Sequence, residues 1–476
     1  MLAQLDMQVP PGLPDGMTGI TADSRQVRPG MVYAALPGVR FDGRDFIGDA
    51  VGRGAVAVVA EPGTAWPAGV PARPLIADPH PRRALARLAA LHAGPQPRTV
   101  VAITGTNGKT STAEFLRQIL VLSGTRAASL GTLGLIGPSG ASSPGLTTPD
   151  PVALAETLAA LARDGVQAVA MEASSHGLDQ HRLDGVCLAA AGFSNLTRDH
   201  LDYHGTFDAY RNAKLRLFRD VLPPGAPAVA CADLEAAALD ALRGTAGPVL
   251  HTTGEGGTLI RLLRATSCPG GQALELQAGE ARREVMLCLP GRFQADNALL
   301  AAGLAMVTGT GAALDLLPGL AGVRGRMELA ATLPNGAAVY VDYAHTPDAL
   351  DRLLRALRPH TLGRLHVVFG AGGDRDRGTP PLMGAVPAAL ADRAIVTDDN
   401  PRSEDPASIR AAILAACPGA QEVGDRAAAI AAALNALRPG DVLAVAGKGH
   451  EQGQTIGAET LPFDDVSIIR KLVGAA

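Results

Sequence analysis

The sequence predicts an α/β protein of three domains, and three observations carry that prediction. At 476 residues the chain exceeds one ordinary core and accommodates roughly three domains of about 150 residues each. Apolar runs alternate with helical stretches through the middle and last thirds, the pattern of a parallel sheet with helices on both faces. One such run, Val100-Val101-Ala102-Ile103, stops at a glycine loop, Thr104-Gly105-Thr106-Asn107-Gly108-Lys109-Thr110-Ser111, which opens an amphipathic helix over 110–122.

Residues 1–95 form the first domain, with strands expected over 31–36 and 55–60 and a helix over 81–92. The polar, proline-rich Gly94-Pro95-Gln96-Pro97-Arg98 closes it as a linker. Residues 96–322 form the central domain, with further strands over 168–171, 188–193 and 228–231. Between 259 and 289 the pattern turns strand-rich, which predicts a small antiparallel insert. Residues 323–476, beginning near Gly325-Arg326, alternate again, with strands over 339–342, 365–370, 394–397 and 442–446. This last domain reads as Rossmann-like, and three of its four strand ends carry charged motifs where open α/β sheets gather ligands.

Composition narrows the function classes. Hydrophobic residues make up 47% and charged residues 18%, which describes a globular chain, and the net charge of −4 supplies no field for nucleic acid. No apolar run approaches the ~20 residues that span a bilayer. The N-terminus shows no basic region followed by an apolar one, so a cytoplasmic protein is expected. Cys187, Cys231, Cys268, Cys288 and Cys417 are odd in number and scattered, which predicts buried free thiols.

The glycine loop is a phosphate cradle. Backbone N–H groups of Gly105, Thr106, Asn107, Gly108 and Ser111 and the positive end of the helix face an anion; Lys109 reaches the terminal phosphates and the Thr110 hydroxyl binds Mg²⁺. Ile103 stands where the general phosphate-loop pattern has its first glycine, so this is a shorter form. ATP is the expected nucleotide. Glu172 ends an apolar strand, where such enzymes place a carboxylate on Mg²⁺. Ser174, Gln180 and Arg182 follow it with hydrogen-bonding side chains. A third cluster, Asn195-Leu196-Thr197-Arg198-Asp199-His200-Leu201-Asp202-Tyr203-His204-Gly205, follows another strand, and His200 is open to metal binding, substrate binding or helix capping. Lys214, read alone, is a solvated helix lysine.

The ordered motifs Thr-Gly-Thr-Asn-Gly-Lys-Thr, Glu-Ala-Ser-Ser-His-Gly, Asn-Leu-Thr-Arg-Asp-His-Leu-Asp-Tyr-His-Gly and Ala-Lys resemble the Mur ligase family. The match is strongest to members that add a diamino acid to UDP-N-acetylmuramoyl-L-alanyl-D-glutamate. Asp23-Ser24-Arg25-Gln26-Val27 and Asp42-Gly43-Arg44-Asp45-Phe46 resemble their UDP-binding domain, and Leu146-Thr147-Thr148-Pro149 their muramoyl-peptide loop. Asp342-Tyr343-Ala344-His345-Thr346-Pro347 resembles the start of their third domain. Gly372-Gly373-Asp374-Arg375-Asp376, Asp399-Asn400-Pro401-Arg402 and Gly447-Lys448-Gly449-His450-Glu451 resemble their amino-acid site.

The resemblance implies an ATP- and Mg²⁺-dependent amide ligase of peptidoglycan precursor synthesis, acting as a monomer without nucleic acid or membrane insertion. The D-Glu carboxylate would attack the γ-phosphate to give an acyl phosphate, and the amine of the incoming amino acid would displace phosphate, with the third domain closing over the site. It implies a Lys214 carbamate, made with CO₂, beside Thr110, Glu172 and His200 as metal ligands. It also implies an adenine contact from Asn297 and ATP contacts from Arg326 and Asp342. Ser24, Thr147, Thr148, Ser174, Gln180 and Arg182 would hold the UDP-peptide. Arg375, Asp399, Asn400, Pro401, Arg402, Gly447 and Glu451 would hold the amino acid. The form of the 399–402 motif implies meso-diaminopimelate, whose far carboxylate suits a bidentate guanidinium. Thr379-Pro380-Pro381 replaces a Lys-Arg pair frequent in the family, which keeps L-ornithine and L-lysine open. A folylpolyglutamate synthetase-like ligase shares the loop and the lysine but has no UDP-binding first domain. A regulatory P-loop ATPase is the other alternative.

Overall fold

The computed structural model describes residues 16–38, 41–142, 145–244, 248–268, 270–374 and 378–474. They fall into two compact units. One runs to Leu262 and adds Ala278–Glu280 and Asp296–Leu316; the other holds Leu263–Gln277, Ala281–Ala295 and the chain from Leu317 onward.

The first unit opens with β1 (Gly19–Thr21), β2 (Met31–Ala34), α1 (Ile47–Gly52), β3 (Ala57–Ala60), β4 (Leu75–Ala77) and α2 (Pro81–Ala93). The four strands lie parallel in chain order. Alternation along β2 explains the layering, because successive side chains leave opposite faces. Val32 and Ala34 pack toward Leu85 and Leu88 of α2, while Tyr33 packs with Ile47 and Val51 of α1. Pro81, with φ preset and no N–H to lose, starts α2. The three-residue strands β1 and β4 are too short to show periodicity, which is why sequence reading passes over them.

The same unit continues with β5 (Thr99–Thr104), α3 (Lys109–Leu122), β6 (Ala127–Gly131), β7 (Gly134–Gly137), β8 (Gly140–Ala141), α4 (Pro151–Arg163), β9 (Ala168–Glu172), α5 (Ser175–Asp179), β10 (Leu188–Phe193), α6 (Leu201–His204), α7 (Phe207–Arg216), β11 (Pro227–Cys231), α8 (Ala236–Gly244) and β12 (Val249–Gly254). Its sheet runs β12-β11-β10-β5-β9-β6-β7-β8, parallel from β12 to β6. Position β5 matters most: Ile103 is in register with Glu172 of β9, and Thr104 with Phe193 of β10. Three of the sequence clusters therefore leave the sheet side by side. Beyond β12 come β13 (Ile260–Cys268), β14 (Gly271–Ala278) and β15 (Ala281–Leu287), the expected strand-rich insert, and then α9 (Arg292–Val307), which belongs to this unit from Asp296 on.

The second unit adds β16 (Glu328–Thr332), β17 (Ala338–Asp342), α10 (Pro347–Leu357), β18 (Leu365–Phe369), α11 (Thr379–Leu390), β19 (Arg393–Val396), α12 (Pro406–Ala416), β20 (Gln421–Glu422), α13 (Arg426–Asn435), β21 (Val442–Ala446), β22 (Gly453–Ile456), β23 (Glu459–Pro462) and α14 (Asp465–Val473). The sheet order is β16-β17-β21-β18-β19-β20, with only β16 antiparallel. One face packs on Leu350, Leu354, Met383 and Ile413 of α10 to α12, the other on Ile430, Ala433 and Ile469 of α13 and α14. Helices on both faces confirm the doubly wound reading of this segment.

The thiols correct one expectation. All five cysteines are free, but only Cys231 and Cys417 are buried; Cys187 and Cys268 are partly exposed and Cys288 is exposed. Cys288 follows β15, the edge strand of its sheet. Among the described residues, no helix is long and apolar enough to cross a membrane.

Candidate active site

The phosphate loop leaves β5 as a glycine-dependent turn. Gly105 and Gly108 have φ of 148° and 82°. A Cβ on Gly105 would overlap the Ser194 hydroxyl, and one on Gly108 would overlap Asn297 Oδ1. Both glycines are therefore required by contact as well as by conformation. Asn297, buried on α9, thus lies against the loop.

The segment after β10 braces this loop. Thr106 N–H donates to the Asn195 carbonyl at 2.9 Å, and Asn107 N–H donates to Asn195 Oδ1 at 2.9 Å. Ser194 Oγ and Asn195 Nδ2 both donate to the Asn107 carbonyl, at 2.6 and 3.0 Å. Thr106 Oγ1 lies 3.1 Å from the hydroxyl of Tyr210, a buried residue of α7. Thr110 and Ser111 open α3 as buried residues.

Lys109 Nζ donates to the carbonyls of Gly105 and Thr106, each at 2.9 Å. Lys214 corrects the reading from residues alone: it is 1% exposed, and its Nζ donates to the Gly105 carbonyl at 2.7 Å. The helix α7 turns it inward, one turn after Tyr210, whose ring centroid lies 4.5 Å from the ammonium. Burial above all, and then the charge of Lys109, push the Lys214 ammonium well below the usual lysine range.

Glu172 is 2% exposed at the end of β9. Thr132 holds it, donating its N–H to Oε1 at 2.7 Å and its hydroxyl to Oε2 at 3.2 Å. Gly131 has no room for a Cβ, which would overlap the same carboxylate. The carboxylate and the Thr110 hydroxyl are oxygen donors of the kind a hard cation accepts, the rest of its shell being phosphates and water. Among the described residues no cluster of three or more His, Cys, Asp or Glu could hold a metal by itself. His200 takes the N-cap position of α6 with φ 51° but makes no side-chain cap bond. Its ring lies 4.9 Å from that of His176 and 6.2 Å from that of Tyr210.

The residues expected to hold the peptide, Ser24 excepted, form one hydrogen-bonded chain. Thr147 Oγ1 meets Thr132 Oγ1 at 3.2 Å, and Thr148 Oγ1 donates to the Glu172 carbonyl at 2.9 Å. Ser174 N–H donates to Thr148 Oγ1 at 3.0 Å, and the Ser174 hydroxyl caps α5. Arg182 donates to the Thr148 carbonyl at 2.6 Å and to Gln180 Oε1 at 2.7 Å. Gln180 and Arg182 line a cleft of about 510 Å³ with Asp23, Gln26, Arg82 and Asp150. Ser24 is buried in a short helical turn beside these residues and does not line the cleft.

In the second unit, Asp342 ends β17 in register with Ala446 of β21, so Gly447 N–H donates to the Asp342 carbonyl at 3.1 Å. The partly buried Asp342 carboxylate accepts from Met327 N–H at 2.7 Å, and burial pushes it up to about 6, against the pull of Arg326. Arg326 lies over the Tyr343 ring at 4.7 Å. Arg402, a non-glycine residue at φ 52°, donates to the Gly373 carbonyl at 2.7 Å. Asp399 and Asn400 are buried, Pro401 is buried beside them, and Asn400 Nδ2 donates to Glu451 Oε2 at 2.9 Å. Arg375 lies outside the described residues. Sequence reading missed Thr132, Tyr210 and Arg82; the glycines at 131 and 134 around Thr132 and the charged run 78–83 around Arg82 were the signals available for two of them.

A parallel-sheet phosphate loop with a second, buried lysine on its own carbonyl, followed by a doubly wound domain, defines an ATP-using ligase of three domains. Three family models match in chain order: "Mur ligase family, catalytic domain" over residues 16–93, "Mur ligase middle domain" over 103–305, and "Mur ligase, glutamate ligase domain" over 325–449. The chain belongs to the Mur ligase family. It is 54% identical over 460 residues to the UDP-N-acetylmuramoyl-L-alanyl-D-glutamate–2,6-diaminopimelate ligase of Caulobacter vibrioides, covering 95% of this chain and 94% of the relative. It is 53% identical to the enzyme of the same name from Rhizobium meliloti, covering 96% and 94%. A solved structure of a protein so named superposes with a TM-score of 0.73 at 32% identity, covering 100% of this chain and 98% of that one. A folylpolyglutamate synthase of Mycobacterium tuberculosis, at 20% identity and TM-score 0.62, covering 83% of this chain and 95% of that one, shares the fold alone.

Proposed function

We propose that this chain joins meso-diaminopimelate to UDP-N-acetylmuramoyl-L-alanyl-D-glutamate, with ATP cleaved to ADP and phosphate, in cytoplasmic peptidoglycan precursor synthesis. The observation that carries the reading is the identity above one half, across nearly the whole chain, to relatives that bear that name. The domain boundaries at residues 95 and 322 and a monomeric state belong to the same proposal.

The reaction asks for two anions to meet, the D-Glu carboxylate and the γ-phosphate. Lys109 supplies a point charge on the phosphates, and the N–H groups at the start of α3 supply fixed dipoles. Bound Mg²⁺ would neutralise phosphate charge and polarise the γ-phosphate; Thr110, Glu172, His200 and a carbamylated Lys214 are its proposed holders. Carbamylation suits Lys214 physically. The amine must shed its proton to attack CO₂, and burial beside Lys109 favours that neutral form. The product carries a negative charge where two lysine amino groups otherwise donate to one carbonyl.

Gln180 and Arg182, on the 510 Å³ cleft, are proposed to hold the UDP-peptide with Thr147, Thr148, Ser174 and Ser24. Asn297, Arg326 and Asp342 are proposed nucleotide contacts. Arg402, with Asp399, Asn400, Pro401, Gly447, Glu451 and Arg375, is proposed to receive the amino acid. The acyl phosphate gains its amide when the incoming amine attacks the acyl carbon and phosphate departs.

The test incubates the protein with ATP, the UDP-muramoyl-dipeptide and equal amounts of meso-diaminopimelate, L-ornithine and L-lysine, and weighs the product. A diaminopimelate adduct is expected. An ornithine or lysine adduct overturns the choice of amino acid. Phosphate release of equal size with ATP alone overturns the ligase reading.

A further inference from the structure

Lys448, beside the proposed amino-acid site, has a fully buried side chain, at 0% exposure. Its direction is set by its neighbours. Gly447 and Gly449 have φ of 118° and 55°, and a Cβ on either would overlap Asp399 or the backbone around Tyr343 and Gly325. The two glycines let the backbone turn tightly after β21, and the side chain between them enters the interior.

There Lys448 Nζ donates to Asn400 Oδ1 at 2.9 Å and to Glu451 Oε2 at 3.2 Å. Asn400 completes the ring: its Nδ2 donates to the same Glu451 oxygen at 2.9 Å, and its Oδ1 also accepts Thr455 N–H at 2.9 Å. The asparagine amide is thereby fixed in one orientation, its Oδ1 accepting two hydrogen bonds and its Nδ2 donating one. Glu451 is different. Its side chain is 32% exposed, and Oε1 accepts no hydrogen bond from the described residues. One carboxylate oxygen is held from within and the other faces outward.

We infer that Lys448 is a positioning residue for the incoming amino acid, aiming the free oxygen of Glu451 at an ammonium group of that substrate and locking Asn400 beside it. Lys448 is too deep to touch the substrate itself. A buried ammonium is tolerated only with such partners, and a carboxylate held by two internal donors loses the freedom to turn away from its ligand. The inference rests on the proposed function for the identity of the substrate and for the place of Asn400 and Glu451 in its site.

The experiment measures kcat and KM for all three substrates in the parent, Lys448→Met, Glu451→Gln and the double variant. Lys448→Met is expected to raise KM for the amino acid about tenfold or more, leaving KM for ATP and for the UDP-peptide within about threefold. Equal changes in all three KM values, or a lower melting temperature with every KM unchanged, overturn the inference. Lys448→Met strands a carboxylate and can fail to fold, so the double variant, which leaves no uncompensated charge, is read against Glu451→Gln. Groups that act as one unit do not add, so the double variant should stay within about threefold of Glu451→Gln in amino-acid KM. A further tenfold rise shows Lys448 acting independently and overturns the inference. The comparison uses whichever amino acid the product mass selects, so an ornithine or lysine product sinks the substrate reading and leaves this test standing.

Discussion

Lys109 and Lys214 donate to the same oxygen, the carbonyl of Gly105, at 2.9 and 2.7 Å. Two ammonium groups on one acceptor repel each other, and one of them is buried. The arrangement is relieved when phosphate draws Lys109 outward or when Lys214 changes its charge. Both events belong to the proposed reaction.

Lys109→Ala is expected to cut ligation by at least ~10²-fold, the usual loss when a transition-state phosphate contact is removed. Lys109→Arg should fare little better, because a planar guanidinium does not reproduce a compact point charge under a tight loop. Steady-state ADP release dependent on the UDP-peptide measures both. Activity within about tenfold of the parent removes the phosphate-loop assignment.

Lys214→Ala should lose most activity and regain part of it when formate or acetate is supplied, since either returns a carboxylate to the cavity. Parent protein in ¹³C-labelled bicarbonate should show a carbamate carbon signal that Lys214→Ala lacks. A parent with normal turnover and no such signal rules out the modification. Lower pH should weaken the signal, because the protonated amine cannot attack CO₂.

Arg402→Ala should lower kcat/KM for meso-diaminopimelate by about tenfold to a hundredfold, the range for removing a charge-assisted pair with a carboxylate. Competing L-ornithine and L-lysine, which carry no second carboxylate, should lose far less. A parent that prefers either of them tenfold would make Arg402 a binder of the α-carboxylate, or a structural residue that holds Gly373.

Asp342→Asn should separate stability from activity. The carboxyl is pushed up to about 6 from an ordinary value of 3.8. A raised acid loses stability as pH climbs, since the folded chain resists an ionisation that the unfolded chain accepts freely. The asparagine variant should therefore exceed the parent by about 2 kcal/mol above pH 6, the shift discounted for partial exposure. The gap should close as pH falls from 6 toward 4. Denaturant melts at pH 4 and pH 7.5 check this, and a constant gap refutes it. ATP-dependent ligation should fall in the same variant if Asp342 is the proposed nucleotide contact.

The sequence by itself determined the local chemistry. Glycines at 105 and 108 between a β-branched strand and Lys109 admit one kind of turn, because few residues adopt those backbone angles and the cradle needs all of them. The alternation of β5, β9, β10, β17, β18, β19 and β21 was equally legible, since buried parallel strands are written as unbroken apolar runs. Tertiary structure decided what those segments meet. Lys214 read as a surface lysine because a helix position carries no mark of which face is buried, and only the packing of α7 on the loop turned it inward. Thr132 and Tyr210 were invisible for the same reason: a threonine and a tyrosine gain meaning from the carboxylate and the hydroxyl placed beside them. Asn400, Lys448 and Glu451 leave two different strands, and only the order β21-β18-β19 brings their side chains within hydrogen-bond distance.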